Sequence, residues 1–182
     1  MGDDLIGNFE LAASEPDADV RRRLLTVVVI GGGFSGVEVA GHIADLMRAV
    51  RRFYPEMKNE PPRVVLLHKG ERLLPELNHK SLSAVTLHKL KKNRIDVRLH
   101  TAAEKVTSVA VQLTSGERIE TGMIVCTVGT AAHPLIKGLG LPLETGRLKT
   151  EPDTRVKGTA NLWTLGDCSF ISNAYNGRPC PR

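Results

Sequence analysis

The sequence predicts a three-layer α/β fold, in which a parallel sheet has helices on one face and an antiparallel β-meander on the other. Two almost continuous apolar runs, 25–30 and 63–67, are typical of parallel strands that are buried on both faces. Each run is followed by a segment in which apolar residues recur every three or four positions, as in an amphipathic helix. A later stretch of alternating apolar and polar residues predicts the strands of the meander.

The composition sets limits on the class of protein. A chain of 182 residues that is 41% hydrophobic can form one globular domain with a peripheral segment. Its longest largely apolar stretch, 24–30, is far shorter than the roughly 20 residues of a membrane helix. The net charge is +5, but the basic residues are dispersed and aromatic residues make up only 4%. This pattern argues against a nucleic-acid partner.

The first structural elements are predicted from helix and strand signals. The cluster 14–17, with sequence Ser-Glu-Pro-Asp, combines a helix stop with a helix start, so two short peripheral helices are expected before residue 25. The first strand, 25–30, leads directly into glycines. A helix of about five turns follows Gly36 and is expected to end before Pro55.

The second strand, 63–67, and a helix over 78–93 complete a βαβ unit. Segments 96–100 and 110–114 alternate apolar and polar residues and predict the meander, with a turn at 115–118. An apolar run at 123–128 predicts one more central strand, which ends at Gly129. A last short strand is expected at 161–165, immediately before Gly166 and Asp167.

The strongest functional signal is the segment 31–36, here called the glycine loop, with sequence Gly-Gly-Gly-Phe-Ser-Gly. It fits the pattern G-x-G-x-x-G between a buried strand and a helix, which is typical of dinucleotide binding. Gly31 would permit the tight turn, Gly33 the approach of a pyrophosphate, and Gly36 close packing of helix and strand. Phe34 and Ser35 complete the glycine loop and are further candidate cofactor-binding residues, and the amides at the start of the following helix would bind the pyrophosphate. The alternative is a tight turn without a ligand.

The end of the second strand decides between NADH and NADPH. Dinucleotide-binding folds usually place an acid there to accept hydrogen bonds from the adenosine ribose, whereas this chain has His68. A neutral histidine accepts only one hydrogen bond. Lys69 and Arg72 follow and could bind a ribose 2′-phosphate, which leaves NADP(H) open beside NAD(H). The alternative is a solvated loop with incidental charges.

Four segments together resemble the FAD-dependent pyridine nucleotide-disulfide oxidoreductases, and among these the type II NADH dehydrogenases. They are the glycine loop with the following Val37 and Glu38, and the segments 70–76, 125–130 and 165–168. They occur in the family's order and extend over nearly the whole chain. The resemblance implies a Rossmann-like FAD/NAD(P)-binding fold.

The resemblance also implies roles for individual residues. Glu38 matches the acid that lies beside the nicotinamide ring and ribose, although a carboxylate in the first turn of a helix, where the sequence places it, is also stabilised by the dipole alone. Val128 and Gly129 match the turn that passes under the nicotinamide. Gly166 precedes Asp167, which matches the aspartate that hydrogen-bonds the flavin ribityl chain. No residue is expected to act as a general acid or base, and no metal site is expected.

For the intact protein the resemblance implies hydride transfer from NADH to FAD and electron transfer to a quinone. The chain itself is expected to be an inactive fragment. Its three parts would be a peripheral helical segment (1–24), the NAD(P)-binding domain (25–160) and the start of the C-terminal part of the flavin domain (161–182). The alternatives are another acceptor, such as a disulfide, a ferredoxin or a peroxide, or a non-catalytic dinucleotide-binding module.

The three cysteines bear on the acceptor and on the cellular compartment. Cys126, Cys168 and Cys180 form no C-x-x-C pair and no metal-ligand spacing, so a redox disulfide is not expected and a quinone acceptor is favoured. Cys126 is expected to be buried in its strand. An odd number of cysteines argues against a secreted disulfide framework and favours a reducing, cytoplasmic compartment. For the parent protein, the resemblance leaves open peripheral binding to the cytoplasmic face of a membrane and homodimer formation.

Overall fold

The computed structural model describes residues 2–57, 60–77, 79–129, 132–173, 175–177 and 180. Asn78 and Thr130, which fall in predicted segments, lie outside these ranges. The chain divides into two compact units, of which the first ends at Val128 and the second begins at Gly129. The three-part division expected from the sequence, with a boundary at 160/161, stays a prediction. None of the described helices is both long and apolar enough to span a membrane.

The described residues of the first unit form four α-helices and seven strands. Its helices are α1 (Gly2–Ser14), α2 (Ala18–Leu24), α3 (Phe34–Val50) and α4 (Lys80–Lys92). Short 3₁₀ helices follow α3 at Arg51–Phe53 and Pro55–Met57. The strands are β1 (Thr26–Ile30), β2 (Arg63–Leu67), β3 (Ile95–Arg98), β4 (Ala103–Val106), β5 (Ala110–Leu113), β6 (Arg118–Glu120) and β7 (Met123–Cys126).

The central feature of this unit is a four-stranded parallel sheet in the order β3-β2-β1-β7. In its register Val28 of β1 lies between Val65 of β2 and Ile124 of β7. The parallel sheet expected from the apolar runs is therefore confirmed.

The two faces of the sheet are covered by different elements, because successive side chains of a strand point to opposite sides. Val27 and Val29 of β1 pack with helix residues such as Ile43 and Leu90. Val28 and Ile30 face the other way and join a second core formed with the β4-β5-β6 meander. The predicted three layers, with helices on one face and the meander on the other, are confirmed. The second core consists of Val28, Ile30, Val65, Leu67, Val111, Leu113 and Ile119.

The N-terminal residues form the two predicted helices. Asp17 begins α2, and its carboxylate accepts hydrogen bonds from the backbone N–H groups of Asp19 and Val20 at 2.8 and 3.1 Å. Leu5 and Phe9 of α1 are almost completely buried in the helix-side core. These helices therefore contribute to the main core as well as covering its periphery.

One strand assignment from the sequence was wrong. The segment 96–100 was expected in the meander, but β3 pairs with β2 in the parallel sheet. β3 is an edge strand of the described sheet, and only its first residue, Ile95, is fully buried, so polar side chains are tolerated along it. Asp96 there binds Arg63 at 2.7 Å and Arg98 at 3.2 Å. The alternating pattern came from this partial exposure, and the meander instead begins with β4.

Two features of β7 also differ from expectation. The strand lies at the edge of the described sheet, where it pairs only with β1, and not in its centre. Cys126 at its end is exposed, although burial was predicted. An apolar run predicts a strand but does not determine whether both of its edges and faces are covered.

The second unit contains α5 (Pro134–Gly138) and a small sheet of β8 (Leu143–Glu144), β9 (Arg147–Lys149) and β10 (Ser169–Phe170). β9 is central, antiparallel to β8 and parallel to β10. Ile136, Leu148 and Val156 form its core. The strand predicted at 161–165 is absent from these described residues, where Trp163 forms only an isolated bridge with Arg155. Leu165 is 70% exposed, and this short apolar run pairs with none of the described strands.

Candidate dinucleotide-binding site

The glycine loop connects the end of β1 to the start of α3. Gly31 has a φ of 117°, which residues with a β-carbon rarely adopt. Its N–H donates to the carbonyl of Leu67 at the end of β2, at 2.9 Å. The loop therefore begins with a turn that glycine permits and that the neighbouring strand holds in place.

The loop passes very close to the first turn of α3. A β-carbon built on Gly36 would lie 1.8 Å from the carbonyl oxygen of Gly31. Such an atom cannot be accommodated without moving the backbone. A β-carbon on Gly33 would meet only the Glu76 carboxylate, 2.6 Å from Oε1, and that flexible side chain can move. The fold thus requires glycine at position 36, whereas at position 33 the Glu76 side chain, which can move, limits the space for a β-carbon.

The N-terminus of α3 has donors available for an anion. Gly33 is the N-cap residue, and within the described part of the chain no side chain forms a cap hydrogen bond to this helix. Phe34 and Ser35 in the first turn are exposed. The first amides of a helix have no partner within the helix, and the helix dipole adds positive potential there. An uncapped start that follows a glycine-rich turn fits a diphosphate.

Thr127, which sequence reasoning did not select, supports the loop from the adjacent strand. Its hydroxyl donates to the carbonyl of Ile30 at 3.0 Å and lies 3.3 Å from that of Gly31. Its backbone N–H also donates to Ile30, at 2.8 Å. The signal was its position directly after β7, because the ends of neighbouring parallel strands meet at one edge of the sheet.

His68 lies against the glycine loop. Its Nδ1 accepts a hydrogen bond from the N–H of Gly32 at 3.1 Å, so the one acceptor nitrogen of the neutral ring is already used. Nε2 is buried and has no partner among the described residues. Burial lowers the pKa of His68, while the Arg72 carbonyl and the Glu76 carboxylate act in the opposite direction and Lys69 adds to the lowering.

The charged residues after His68 are spread over an open surface. Lys69 is exposed, and Arg72 is half-buried at a cleft of about 280 Å³. That cleft is also lined by Glu71 and Lys80. Neither Lys69 nor Arg72 forms a salt bridge with the described residues, so both cations are available to an anionic group.

Glu38 lies on α3 beyond its first turn, which contains no acidic residue. The sequence placed it in the first turn, but the helix begins at Phe34 and therefore earlier than expected. Its side chain is exposed and makes no hydrogen bond or ion pair with the residues that the structure describes. The carboxylate is consequently free to interact with a ligand.

The remaining predicted site residues lie at the end of the first unit and in the second. Val128 is 61% exposed, and Gly129 has a φ of 75°. Gly166 has a φ of 68° and opens a 3₁₀ helix, Gly166–Cys168. Asp167 in this turn is exposed. The described residues contain no group of three or more His, Cys, Asp or Glu side chains that could hold a metal ion.

The family model described as pyridine nucleotide-disulphide oxidoreductase matches residues 7–179, which is almost the whole chain. The chain belongs to this family. It is 34% identical over 178 residues to the type II NADH:quinone oxidoreductase NdhA of Mycobacterium tuberculosis, a match that covers 92% of the chain. It is 29% identical over 165 residues to a probable NADH dehydrogenase of Dictyostelium discoideum, which covers 88% of the chain.

A third relative is an external alternative NAD(P)H-ubiquinone oxidoreductase of Arabidopsis thaliana mitochondria, 32% identical over 177 residues. That match covers 92% of this chain and 30% of the relative. The corresponding shares of the Mycobacterium and Dictyostelium relatives are 38% and 36%. The chain therefore spans only about a third of the length of these family members.

Solved structures show the same fold. NDH2 of Plasmodium falciparum, solved in complex with NADH, superposes with a TM-score of 0.83 at 23% identity. The match covers 93% of this chain and 37% of that protein. A ferredoxin reductase from Rhodopseudomonas palustris is similar with a TM-score of 0.68 at 19% identity. At such identities the likeness establishes the fold.

Proposed function

We propose that this chain is the NAD(H)-binding domain of a flavin-dependent NADH:quinone oxidoreductase. The observation that carries the proposal is the glycine loop, where Gly36 packs against the Gly31 carbonyl and the start of α3 has no cap. The Mycobacterium relative is a NADH:quinone oxidoreductase and the Arabidopsis relative is an NAD(P)H-ubiquinone oxidoreductase, which supports a quinone as the acceptor. FAD is the proposed second cofactor, held in the intact protein.

The pyrophosphate of NADH would lie at the glycine loop. Amide groups at the N-terminus of α3 donate to phosphate oxygens, and the dipole of this 17-residue helix adds favourable potential. Gly33 at the N-cap lets the phosphates approach the backbone once the Glu76 carboxylate moves aside. The glycines and the helix start thus bind the part that NADH and NADPH share.

Within the first unit, the nicotinamide half would contact Glu38 and Val128. The Glu38 carboxylate has no partner among the described residues and can accept hydrogen bonds from ribose hydroxyls, and the family resemblance adds Gly129, directly after Val128, as a further candidate. Bound nicotinamide supplies a hydride to the flavin. The residues of this chain orient the ring and exclude water, so none of them needs to act as an acid or base.

Cofactor choice would depend on the segment after β2. No carboxylate is present at position 68 to repel a 2′-phosphate, and the nearby cations Lys69 and Arg72 form no salt bridge with the described residues. We therefore include NADP(H) as a second ligand, in agreement with the NAD(P)H named for the Arabidopsis relative. Lys69 and Arg72 would bind its 2′-phosphate.

In the intact protein, the second unit would contribute residues to the flavin site. Asp167 is exposed in the turn that opens with Gly166, so its carboxylate can accept a hydrogen bond from a flavin ribityl hydroxyl. In the intact protein we place the quinone at a membrane surface, to which the protein binds peripherally from the cytoplasm. Homodimer formation is part of the same proposal.

Calorimetric titration with NADH, NADPH and FAD tests this assignment. The expected result is binding of NADH to the 182-residue chain, with weaker or absent binding of FAD. Titration with ADP-ribose serves as a control, because it retains the pyrophosphate and lacks the nicotinamide. A chain that binds FAD tightly and neither nicotinamide cofactor would refute the proposal.

A further inference from the structure

We propose that His68 is a positioning residue, whose neutral imidazole holds the Gly32 peptide and so sets the glycine loop in the shape that binds a dinucleotide. The inference deepens the proposed function and rests on it. It assigns to His68 an action through the loop in place of direct contact with a ribose. The geometry that supports it is independent of any bound ligand.

The imidazole is enclosed between two backbone segments. A β-carbon on Gly32 would lie 2.7 Å from His68 Cγ, and one on Gly70 would lie 2.7 Å from Nε2. The ring therefore packs directly against peptide backbone on two sides. Among the described residues, Nδ1 accepts a hydrogen bond from Gly32 at 3.1 Å, while Nε2 has no partner within hydrogen-bond geometry.

The backbone of His68 is itself held by the sheet. Its N–H donates to the carbonyl of Arg98 at the end of β3, and its carbonyl accepts from Thr101, each at 2.9 Å. Gly70 accepts a hydrogen bond from the N–H of His100 at 3.0 Å. These bonds attach the ring to a rigid edge of the parallel sheet. The parallel sheet thereby fixes where the His68 ring lies against the glycine loop.

Both polar groups of Gly32 are fixed by this arrangement. Its N–H donates to His68, and its carbonyl accepts from the N–H of Leu74 at 2.8 Å. The Gly32 carbonyl shares a planar peptide with the N–H of Gly33, the N-cap residue of α3. Fixing this peptide also fixes the direction of an amide at the proposed pyrophosphate site.

The protonation state of the ring decides whether this bond exists. Acceptance at Nδ1 requires the neutral tautomer with its proton on Nε2, whereas a doubly protonated ring would point an N–H at the N–H of Gly32. Around the ring lie the carboxylate of Glu76, the ammonium group of Lys69 and the backbone carbonyl of Arg72, and His100 on the loop after β3 is held to Gly70 through its backbone N–H. Burial lowers the pKa of His68 by more than the Glu76 carboxylate raises it, which favours the neutral ring.

Substitutions at His68 separate the acceptor from the bulk of the ring. In His68→Asn the amide oxygen lies at nearly the same distance from the backbone as Nδ1, so it can accept from Gly32 without titrating. His68→Leu keeps an apolar side chain of moderate size and removes the acceptor. We expect His68→Leu to weaken NADH binding about threefold to tenfold, as the loss of one hydrogen bond predicts, while His68→Asn retains it.

The pH profile supplies a readout that a purely structural residue would not change. Affinity for ADP-ribose, measured by calorimetry from pH 5 to 8, should fall in the wild type as the ring becomes protonated. The same profile should be flat in His68→Asn. In ¹⁵N NMR spectra, the Gly32 amide should shift with the titration of His68 Nδ1. Thermal unfolding at each pH checks that both variants are folded.

The outcomes distinguish this inference from the function on which it rests. A wild-type chain that binds neither NADH nor ADP-ribose at any pH would overturn the proposed function. Binding that is unchanged in His68→Leu, or a pH profile that persists in His68→Asn, would overturn the role of His68 alone. Weaker binding in His68→Leu together with a flat profile in His68→Asn would support it.

Discussion

The carbonyl oxygen of Gly31 lies 1.8 Å from the position that a β-carbon on Gly36 would occupy. This relationship connects the end of β1 to the start of α3 and leaves no room for a side chain. The loop between them is supported by Thr127 from one neighbouring strand and by His68 from the other. The site is thus a backbone surface whose shape depends on the hydrogen bonds that Thr127 and His68 make to the loop.

Thr127→Val should weaken the loop without changing side-chain volume. The hydrogen bonds from its hydroxyl to the carbonyls of Ile30 and Gly31 would be lost, which typically costs about 1 kcal/mol of unfolding free energy. NADH affinity should fall as well. Urea denaturation and calorimetry measure the two effects. Thr86→Val is the matched control, because its hydroxyl donates to Leu82 within exposed α4 and should leave NADH affinity unchanged.

Glu38→Gln should weaken the binding of NADH more than that of ADP. Its carboxylate has no partner among the described residues, so a role in binding the nicotinamide half should appear only with ligands that contain this half. Calorimetric titration with both ligands gives the comparison. Glu10→Gln, an exposed change on α1, is the control. Equal losses for NADH and ADP would rule out the proposed contact.

Lys69→Ala combined with Arg72→Ala should lower the affinity for NADPH relative to that for NADH. Each cation can interact with a 2′-phosphate that NADH lacks, and exposed charge pairs contribute up to about 1 kcal/mol each. The ratio of the two dissociation constants should therefore change by several fold. His68→Asp should shift the ratio in the same direction by adding a negative charge. An unchanged ratio in both variants would mean that the ribose is bound elsewhere.

Asp96 should make the stability of the first unit depend on pH. Burial acts to raise its pKa, but hydrogen bonds from Arg63 and Arg98 outweigh it, and the pKa is lowered overall. Asp96 therefore stabilises the fold above its unfolded pKa of about 3.9, and this contribution is lost as the pH falls through the lower folded value. At neutral pH Asp96→Asn should cost no more than about 1 kcal/mol.

Urea denaturation at several pH values checks this prediction. The difference in unfolding free energy between the wild type and Asp96→Asn should be largest at neutral pH and should shrink in acid. Asp45→Asn is the control, since Asp45 forms only an exposed pair with Arg48 on α3. A difference that stays constant from neutral to acidic pH would contradict the assigned ion pairs.

The sequence predicted those elements whose patterns depend on local structure and full burial. Strand β2 was expected at 63–67 and occurs at Arg63–Leu67, because every residue after the first is buried. The edge strand β3 was assigned to the wrong sheet, since Asp96 and Arg98 make an exposed parallel strand alternate like an antiparallel one. Partial exposure depends on neighbours distant in the chain, which periodicity does not reveal.

The same limit applies to the site. The glycine loop could be located from its spacing, because the turn and the helix start are local features. The contact of His68 with Gly32 joins residues 36 positions apart, and that of Thr127 with Gly31 joins residues 96 positions apart. A position at a strand end indicated that these side chains lie near the loop, but not which atom each would bond.

The NADH affinities of Gly36→Ala and Gly41→Ala test most directly whether the glycine loop binds the pyrophosphate of NADH. Gly41 lies on the same helix, and a β-carbon there would have no neighbour within 4 Å. Calorimetry should show at least about tenfold weaker NADH binding in Gly36→Ala, from the loss of amide hydrogen bonds to a charged group. Gly41→Ala should bind as the wild type does. Equal affinity in a folded Gly36→Ala chain would contradict the account.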